Sequence, residues 1–321
     1  MDDLSIIIVN WNTRDFLRDC LRSIYDQRGA LSLEVIVSDN DSQDGTQAMV
    51  REEFPDVTLI ENGRNLGFAA ANNVGIRLAR GRYILLLNPD TIVLDRAIEK
   101  TVHYAEAHPK IGVVGCRVME NEAVVQRTCF SFPTPFSAFC TEFGLRRLFP
   151  RSRMFNRAEL GWWDRNSERE VDVVSGMYML VRREALEQVG LLDEAYFVYA
   201  EEADLCFRMW KAGWPCVFVP VAQIIHRDGG SKSTRQVSGK MFVQMHKSLL
   251  IFHRKNWGYG AYLQLKWVYI LSMVVRLPLY ALFVVIKRSP LWRSRKSAAW
   301  AALQFHMAKN EPSIPTDSTG R

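Results

Sequence analysis

Four short apolar runs set the limits on this chain: LSIIIVN (residues 4–10), EVIVSDN (34–40), VTLIEN (57–62) and YILLLNPD (83–90). Nearly unbroken runs of this length, most of them rich in β-branched residues, are what a strand buried on both faces requires. Between them the apolar positions switch to helical spacing. Phe16, Leu17, Cys20, Leu21 and Ile24 share one face of residues 14–27, and DGTQAMVREEF forms a second helical stretch. Strands alternating with helices over about a hundred residues predict a doubly wound, mostly parallel α/β sheet with right-handed crossovers. Ligand-binding loops in such a sheet lie at the carboxyl ends of its strands.

Beyond the fourth run, an amphipathic helix over 95–108 leads into the strand IGVVGCRV. Residues 127–170 mix Phe, Pro, Arg and the adjacent Trp162 and Trp163 without a period, an irregular excursion of the kind that carries function. Regular structure resumes at VDVVSGMYMLVRREALEQVG and continues through AYFVYAEEADLCFRMWKAGW and CVFVP to IIHRDGGSKS. Residues 1–235 are therefore assigned to one α/β domain, 236–308 to a helical region and 309–321 to a disordered tail. In the helical region WVYILSMVVRLPLYALFVVI (267–286) is nearly all apolar, and KRSPLWRSRK follows with five basic residues. A central Arg276 costs about 2.5–3.5 kcal/mol on insertion scales, and Pro278 interrupts a helical ladder. The stretch is accordingly read as a pair of helices lying in a membrane interface, anchored by tryptophans and the basic cluster. The alternative is a helical pair packed on the first domain or in a dimer interface.

Lys plus Arg exceed Asp plus Glu by 41 to 35, and the excess lies late in the chain, which argues against a uniformly basic nucleic-acid surface. The six cysteines contain no C-x-x-C pair and sit in apolar surroundings, as reduced, buried thiols of a cytoplasmic protein would. Met1-Asp2-Asp3 leads directly into a strand with no basic and apolar leader, so export is not expected.

Polar residues collect at the strand ends. Asn10 follows the first run, where an asparagine serves a turn as readily as a ligand. Asp39 directly ends the second, where a carboxylate can accept hydrogen bonds from a nucleobase or ribose. The turn after it is no EF-hand, because the sixth and twelfth positions are Asp44 and Val50 instead of Gly and Glu. Helix capping by Ser42 or Asp44 is expected there. Asn65, Gly67, Asn72 and Asn73 offer a tight backbone and amides to a polar ligand, or cap the helix that begins near Phe68. Asn88 and Asp90 flank Pro89; with a neutral histidine their donor set suits Mg²⁺ or Mn²⁺, although an isolated Asn-Pro-Asp also makes a plain turn, and a lone histidine such as His226 is usually structural unless the other strand ends come close to it. Glu201, Glu202 and Asp204 open an amphipathic helix and complement its dipole. The aromatic Tyr196-Phe197-Val198-Tyr199 before them provides the partly dry surroundings that raise a carboxylate towards general-base values.

Seven pieces in order, IIIVNWN, VIVSDNDSQDGT, ENGRNLGFAAANNVGI, YILLLNPDTIV, VSGMYMLVRREALEQVGLLDE, FVYAEEADLCFRMWKAGW and IIHRDGGS, together resemble the inverting nucleotide-sugar transferases of glycosyltransferase family 2. The likeness is to its bacterial rhamnosyltransferase-like branch and covers roughly residues 4–233. It implies a GT-A fold, a Rossmann-like sheet flanked by helices. It also implies that Asn10 and Asp39 contact base and ribose, that Asn65, Asn72 and Asn88 face the rest of the donor, and that Asp90 and His226 hold the metal. Gly176 and Met177 become acceptor-side backbone, with the 127–170 excursion and its Trp163 covering the acceptor. Glu202 stands where the family's catalytic base lies in an E-D-x-D-L pattern that also contains Asp204. The usual Asp is Glu here, which leaves either Glu201 or Glu202 to present the productive oxygen.

The activity so implied moves a rhamnose-like sugar from a nucleoside diphosphate, dTDP-rhamnose-like by resemblance, to a glycan or polyprenyl-diphosphate-linked hydroxyl in cell-envelope polysaccharide synthesis. It would do so with inversion, Mg²⁺ or Mn²⁺ and a carboxylate base, at the cytoplasmic face of the inner membrane; a homo-oligomer is compatible with it. Two other readings compete. A nucleotide-sugar-binding protein without turnover rests on the Glu at 202. A sugar-nucleotide pyrophosphorylase lacks its glycine-rich basic loop in LSIIIVNWNTRDF.

Overall fold

A computed structural model describes residues 2–121, 124–227 and 238–308. The tail expected over 309–321 and the Gly229-Gly230-Ser231 segment lie outside the described residues. By internal contacts the chain separates into two compact units, one of Met1–Phe132, Trp163–Glu194 and Glu201–Arg235, the other of Pro133–Trp162, Ala195–Ala200 and Gln236–Arg321. Residues 133–162 of the irregular excursion thus group with the C-terminal helices and not with the sheet.

In the first unit β1 (Leu4–Asn10), α1 (Arg14–Asp26), β2 (Leu33–Asp39), α2 (Thr46–Glu53), β3 (Thr58–Glu61), α3 (Phe68–Leu78) and β4 (Tyr83–Leu87) alternate. There follow β5 (Thr91–Val93), α4 (Ala97–Ala107), β6 (Val113–Asn121), β7 (Val124–Val125) and β8 (Cys129–Phe130). After α5 (Pro135–Glu142) and α6 (Leu145–Leu148), which belong to the second unit, come β9 (Arg169–Glu170), β10 (Val173–Val174), β11 (Tyr178–Arg182), α7 (Arg183–Val189), α8 (Glu201–Lys211) and β12 (Cys216–His226). The sheet order is β3-β2-β1-β4-β11-β6-β12-β5. β1 pairs parallel with β2 and β4, β2 with β3, and β6 with β12. β11 is inserted antiparallel between β4 and β6, and β5 lies antiparallel along the end of β12.

The apolar runs explain this sheet. Ile6, Ile7 and Ile8 are all fully buried, so both faces of β1 are covered. α1 lays Leu17, Cys20, Leu21 and Ile24 into the same core. Each fully buried Leu or Ile contributes about 1.5–3 kcal/mol. All six cysteines are buried and unpaired.

Register brings the strand ends together. Asn10 pairs with Asp39, Asp39 with Glu61, Leu87 with Tyr178, and Thr91 with His226. Because β11 runs the other way, Gly176 and Met177 arrive at the edge where the parallel strands end. α8 runs back along the sheet. Its last turn is fixed where Trp210 donates to the carbonyl of Val171 (3.1 Å), and Trp214 packs against Gly112 at the start of β6. Glu201 and Glu202 lie at the opposite end of α8, about 15 Å of helix away.

In the second unit α9 (Ser238–Asn256), α10 (Tyr259–Lys287) and α11 (Pro290–Met307) pack with α5. The expected helix pair over 267–286 is instead part of one 29-residue helix with Pro278 inside it. Proline already has a helical φ, and its cost falls on one lost hydrogen bond and crowding of the preceding turn. Burial of Leu265, Tyr269 and Met273 upstream holds the helix on course. Arg276 is met by Glu142 at 2.8 Å, so its charge does not force the helix to break. α10 is long and apolar enough to cross a bilayer, with a mean hydropathy of 2.1 over its most apolar window. Trp267, Leu271, Val274, Leu282 and Val285 are exposed along it at helical spacing.

Candidate active site

At the ends of β1 and β2 the polar residues satisfy one another. Asn10 is fully buried; its Nδ2 donates to Asp39 Oδ1 (3.0 Å), Ser42 Oγ (3.0 Å) and Thr46 Oγ1 (3.2 Å), and its Oδ1 accepts from Thr13 Oγ1 (2.6 Å). Asp39, also fully buried, accepts in addition from Ser42 Oγ (2.6 Å), the Ser42 amide (2.9 Å) and Gln47 Nε2 (2.6 Å). The two side chains therefore brace the strand-end loop, and neither presents an unengaged polar atom. Asp44 caps on both sides, accepting from the amides of Arg14 (2.8 Å) and Thr46 (3.2 Å). Asn12 and Asp41 adopt left-handed φ (54° and 63°), which the network must hold in place.

The third strand end is braced by a residue the sequence reading passed over. Asn40 donates to the carbonyl of Gly67 (3.1 Å) and accepts from Asn62 Nδ2 (3.0 Å) and the Leu66 amide (3.3 Å). Asn65 accepts from the Gly67 amide (2.9 Å), and Gly67 itself has φ 82°. Asn72 turns back to the Phe68 carbonyl (2.9 Å). Asn73 joins α3 to the 192–194 segment through the Leu192 carbonyl (2.8 Å), the Leu192 amide (3.1 Å) and Glu194 (2.9 Å).

Asn88 and Asp90 are treated differently. The Asn88 amide donates to the Met177 carbonyl (3.1 Å) and its carbonyl accepts from Thr91 Oγ1 (2.8 Å), fixing the turn through the backbone. Beside it, a Cβ on Gly176 would stand 3.2 Å from the Phe68 ring, so the backbone there passes close to α3. Asp90 is only 2% exposed, yet both its carboxylate oxygens lack a hydrogen-bond partner. His226 Nε2 lies 3.2 Å from Asp90 Oδ1 and also has no hydrogen-bond partner, so the two atoms face each other without hydrogen-bond geometry. Gln126 Oε1 lies 3.1 Å from His226 Nδ1, and in the tautomer that donates to it Nε2 carries the lone pair. An oxygen donor and a nitrogen lone pair aimed at one another, both dry, are a donor set that fits a Mg²⁺- or Mn²⁺-sized cation. Among the described residues no third His, Cys, Asp or Glu joins them.

At the head of α8, Glu201 is buried and Glu202 half-buried, and each has an Oε2 without a hydrogen-bond partner. Burial pushes both carboxyl pKa values up, and the charge of Glu202 pushes Glu201 further. Tyr199 and Ala200, immediately before them, both have left-handed φ (70° and 68°). Asp204 is fully buried and holds Arg208 (2.9 Å), which donates to the carbonyls of Val189, Gly190 and Leu191. Its carboxylate thus organises the end of α7.

Trp163 is not brought to the strand-end edge. It is 7% exposed, edge-on to Phe218 (4.9 Å between centroids), with Arg165 and Arg169 over its ring. Phe218 pairs with Gly115, whereas Ile225, beside His226, pairs with Met119; four residues along β6 separate the two by ~13 Å.

A doubly wound sheet with an inserted antiparallel strand, a braced polar loop and an Asp-His pair at its strand ends has the GT-A fold. Comparison makes this specific: the chain belongs to glycosyl transferase family 2, whose pattern matches residues 5–190, and it is a glycosyltransferase. It is 28% identical over 320 residues to the N-acetylglucosaminyl-diphospho-decaprenol L-rhamnosyltransferase of Mycobacterium tuberculosis, covering 92% of this chain and 96% of that protein. It is also 27% identical to rhamnosyltransferase WbbL of Escherichia coli, covering 69% of this chain and 82% of that protein. In fold it is similar to the mannosyltransferase PcManGT from Pyrobaculum calidifontis, solved with GDP-Man and Mn²⁺. The TM-score is 0.57 at 17% identity, over 95% of this chain and 86% of that one.

Proposed function

We propose that the protein is an inverting rhamnosyltransferase that moves the sugar of a dTDP-rhamnose-like donor to a hydroxyl of a lipid-diphosphate-linked glycan. The observation that carries this reading is the buried Asp90 carboxylate, hydrogen-bond-free and 3.2 Å from a His226 nitrogen that also lacks a hydrogen-bond partner. Asp90 and His226 would hold a divalent cation. When bound, it neutralises the charge that develops on the departing nucleoside diphosphate.

The chain's own residues supply the rest. The network around Asn10 and Asp39 presents a rigid loop, with left-handed Asn12 and Asp41, to the donor's nucleoside. Asn88, fixed through its backbone two residues before Asp90, would contact the donor with its carboxamide. Gly176 and Met177 form the acceptor-side floor. Glu202 takes the proton of the attacking hydroxyl: it is the less buried of the two glutamates, and its raised pKa suits a base. Glu201 beside it is buried, and that burial together with the Glu202 charge favours its protonated form. One displacement inverts the anomeric carbon. The relatives named above, at 28% and 27% identity, support the rhamnose and lipid-diphosphate parts of this reading. The exposed apolar positions of α10, with Lys287 and Arg288 at its end, support contact with a membrane surface, and six unpaired thiols suit its cytoplasmic side.

The test is a screen of the purified full chain against sugar nucleotides, with and without Mn²⁺. Metal-dependent release of dTDP from dTDP-rhamnose, faster with a polyprenyl-diphosphate-linked acceptor, is expected. Release only from other donors would refute the rhamnosyl assignment, and release of inorganic diphosphate would refute transfer.

A further inference from the structure

Within the helical unit lies a cavity of about 700 Å³ that the chemistry above does not use. One wall is the end of α5 and the start of α6; the others come from α10, α11 and the first turn of α9. Its surface has two distinct parts. Arg147, Arg276 and Arg295 line it as cations, while Val275, Leu279 and Leu291 give it an apolar side. Arg146 also lines it, but is engaged by Glu159.

Arg276 is the informative residue, because it is a charge in the most apolar helix of the chain. Glu142 holds it through a carboxylate contact at 2.8 Å and through its backbone carbonyl, and Ser272 Oγ donates to the same carboxylate oxygen (2.9 Å). This arrangement fixes the guanidinium at the cavity wall. Glu142 is the single carboxylate on the lining, against four arginines, and among the described residues neither Arg147 nor Arg295 is ion-paired. A strongly cationic rim beside a hydrocarbon-lined wall complements a molecule that joins an anionic head to an apolar chain.

We propose that this cavity binds the head and first isoprene units of the lipid-diphosphate acceptor, an inference that rests on the acceptor class assigned above. Its volume falls in the usual range for small-molecule sites, about 300–1,000 Å³. It therefore holds a diphosphate and a short stretch of chain, not a whole long polyprenyl tail. Leu279 and Leu291, each about half exposed, would lead the remaining tail outwards into lipid. Arginine suits the head because its fork pairs two phosphate oxygens at once.

Farnesyl diphosphate is the probe, since it carries the head and three isoprene units. Binding to the full chain is measured by calorimetry in saturating nucleoside diphosphate, which occupies the nucleotide cleft. Wild type is expected to bind farnesyl diphosphate well above farnesol or inorganic diphosphate. The double variant Arg147→Glu/Arg295→Glu, both at exposed positions, should weaken it by about tenfold or more, or roughly 1.4 kcal/mol. Leu279→Ser should weaken it severalfold while donor hydrolysis in the absence of acceptor stays at the wild-type rate. Arg276 is left intact because Glu142 depends on it. Unchanged binding in these variants would overturn the proposal, as would full displacement by phosphatidylglycerol vesicles, which would make the cavity a general anionic-lipid site. If the variants lose binding but no donor is hydrolysed even by wild type, the cavity assignment stands and the transferase reading falls. If hydrolysis is intact and farnesyl diphosphate never binds, the reverse holds.

Discussion

Asp90→Asn separates binding of a cation from every structural role of the residue. In the wild-type chain two carboxylate oxygens and one imidazole nitrogen are buried without hydrogen-bond partners. An unsatisfied buried polar group costs about 1–3 kcal/mol, and a charged one costs more. Asparagine removes the charge and brings a donor within the 3.2 Å that separates Asp90 Oδ1 from His226 Nε2. Without metal, the variant should therefore be as stable as wild type or more stable by up to about 3 kcal/mol. With metal the order reverses. A cation at 100 times its Kd stabilises the wild type by about 2.7 kcal/mol, which raises the melting temperature by ~5–10 °C in a unit of this size. The variant should lose that shift together with metal-dependent donor hydrolysis. The assay is a thermal melt of both proteins across a Mn²⁺ titration, followed by nucleotide release on the same samples. A variant that keeps the Mn²⁺ shift, or one that is strongly destabilised without metal, would refute the reasoning.

Glu202→Gln should lower kcat by about 10²–10⁴ with donor affinity nearly unchanged, measured by steady-state transfer and nucleotide calorimetry; near-normal turnover would remove it as the base. Because burial raises the Glu201 and Glu202 pKa values, the folded protein retains protons above pH 4.5 that the unfolded chain releases. Stability should therefore fall as pH rises from 4.5 through the raised values and level off above them; Glu201→Gln should flatten the slope in melts taken across that range. Asp39→Ala strands the Asn10, Ser42 and Gln47 donors in a fully buried site, and should cost about 3–5 kcal/mol in denaturant unfolding. Pro278→Ala restores a helical amide inside α10 and should stabilise the helical unit by up to about 3 kcal/mol, read as a higher melting temperature.

What sequence reasoning could see was governed by range. The strands were legible because burial on both faces writes itself into consecutive residues, and their shared edge followed from the alternation with helices. Asp90 and His226 could be suspected because each directly follows an apolar run, and the structure sets them 3.2 Å apart. What escaped notice depends on partners far along the chain. Asn10 and Asp39 stand 29 positions apart, and nothing local tells that they spend their polar atoms on each other. Asn40 bracing Gly67, Gln126 orienting His226 and Asp204 aiming Arg208 at the end of α7 are likewise tertiary facts. Trp163 looked available because it lies in an aperiodic stretch, yet Phe218 and two arginines enclose it. Pro278 misled for a related reason: a local breaker was outweighed by packing on the preceding turns.

The reversed strand β11 has a mechanical consequence. Zipped to β4 on one side and β6 on the other, it fastens the peptide entering at Gly176 to the platform that carries Asn88. In the proposed reaction, where Gly176 serves the acceptor and Asn88 the donor, the two would thereby be mounted on one frame. Divergence in what is glycosylated would then fall to the chain on either side of this seam, while the distance across it stays set.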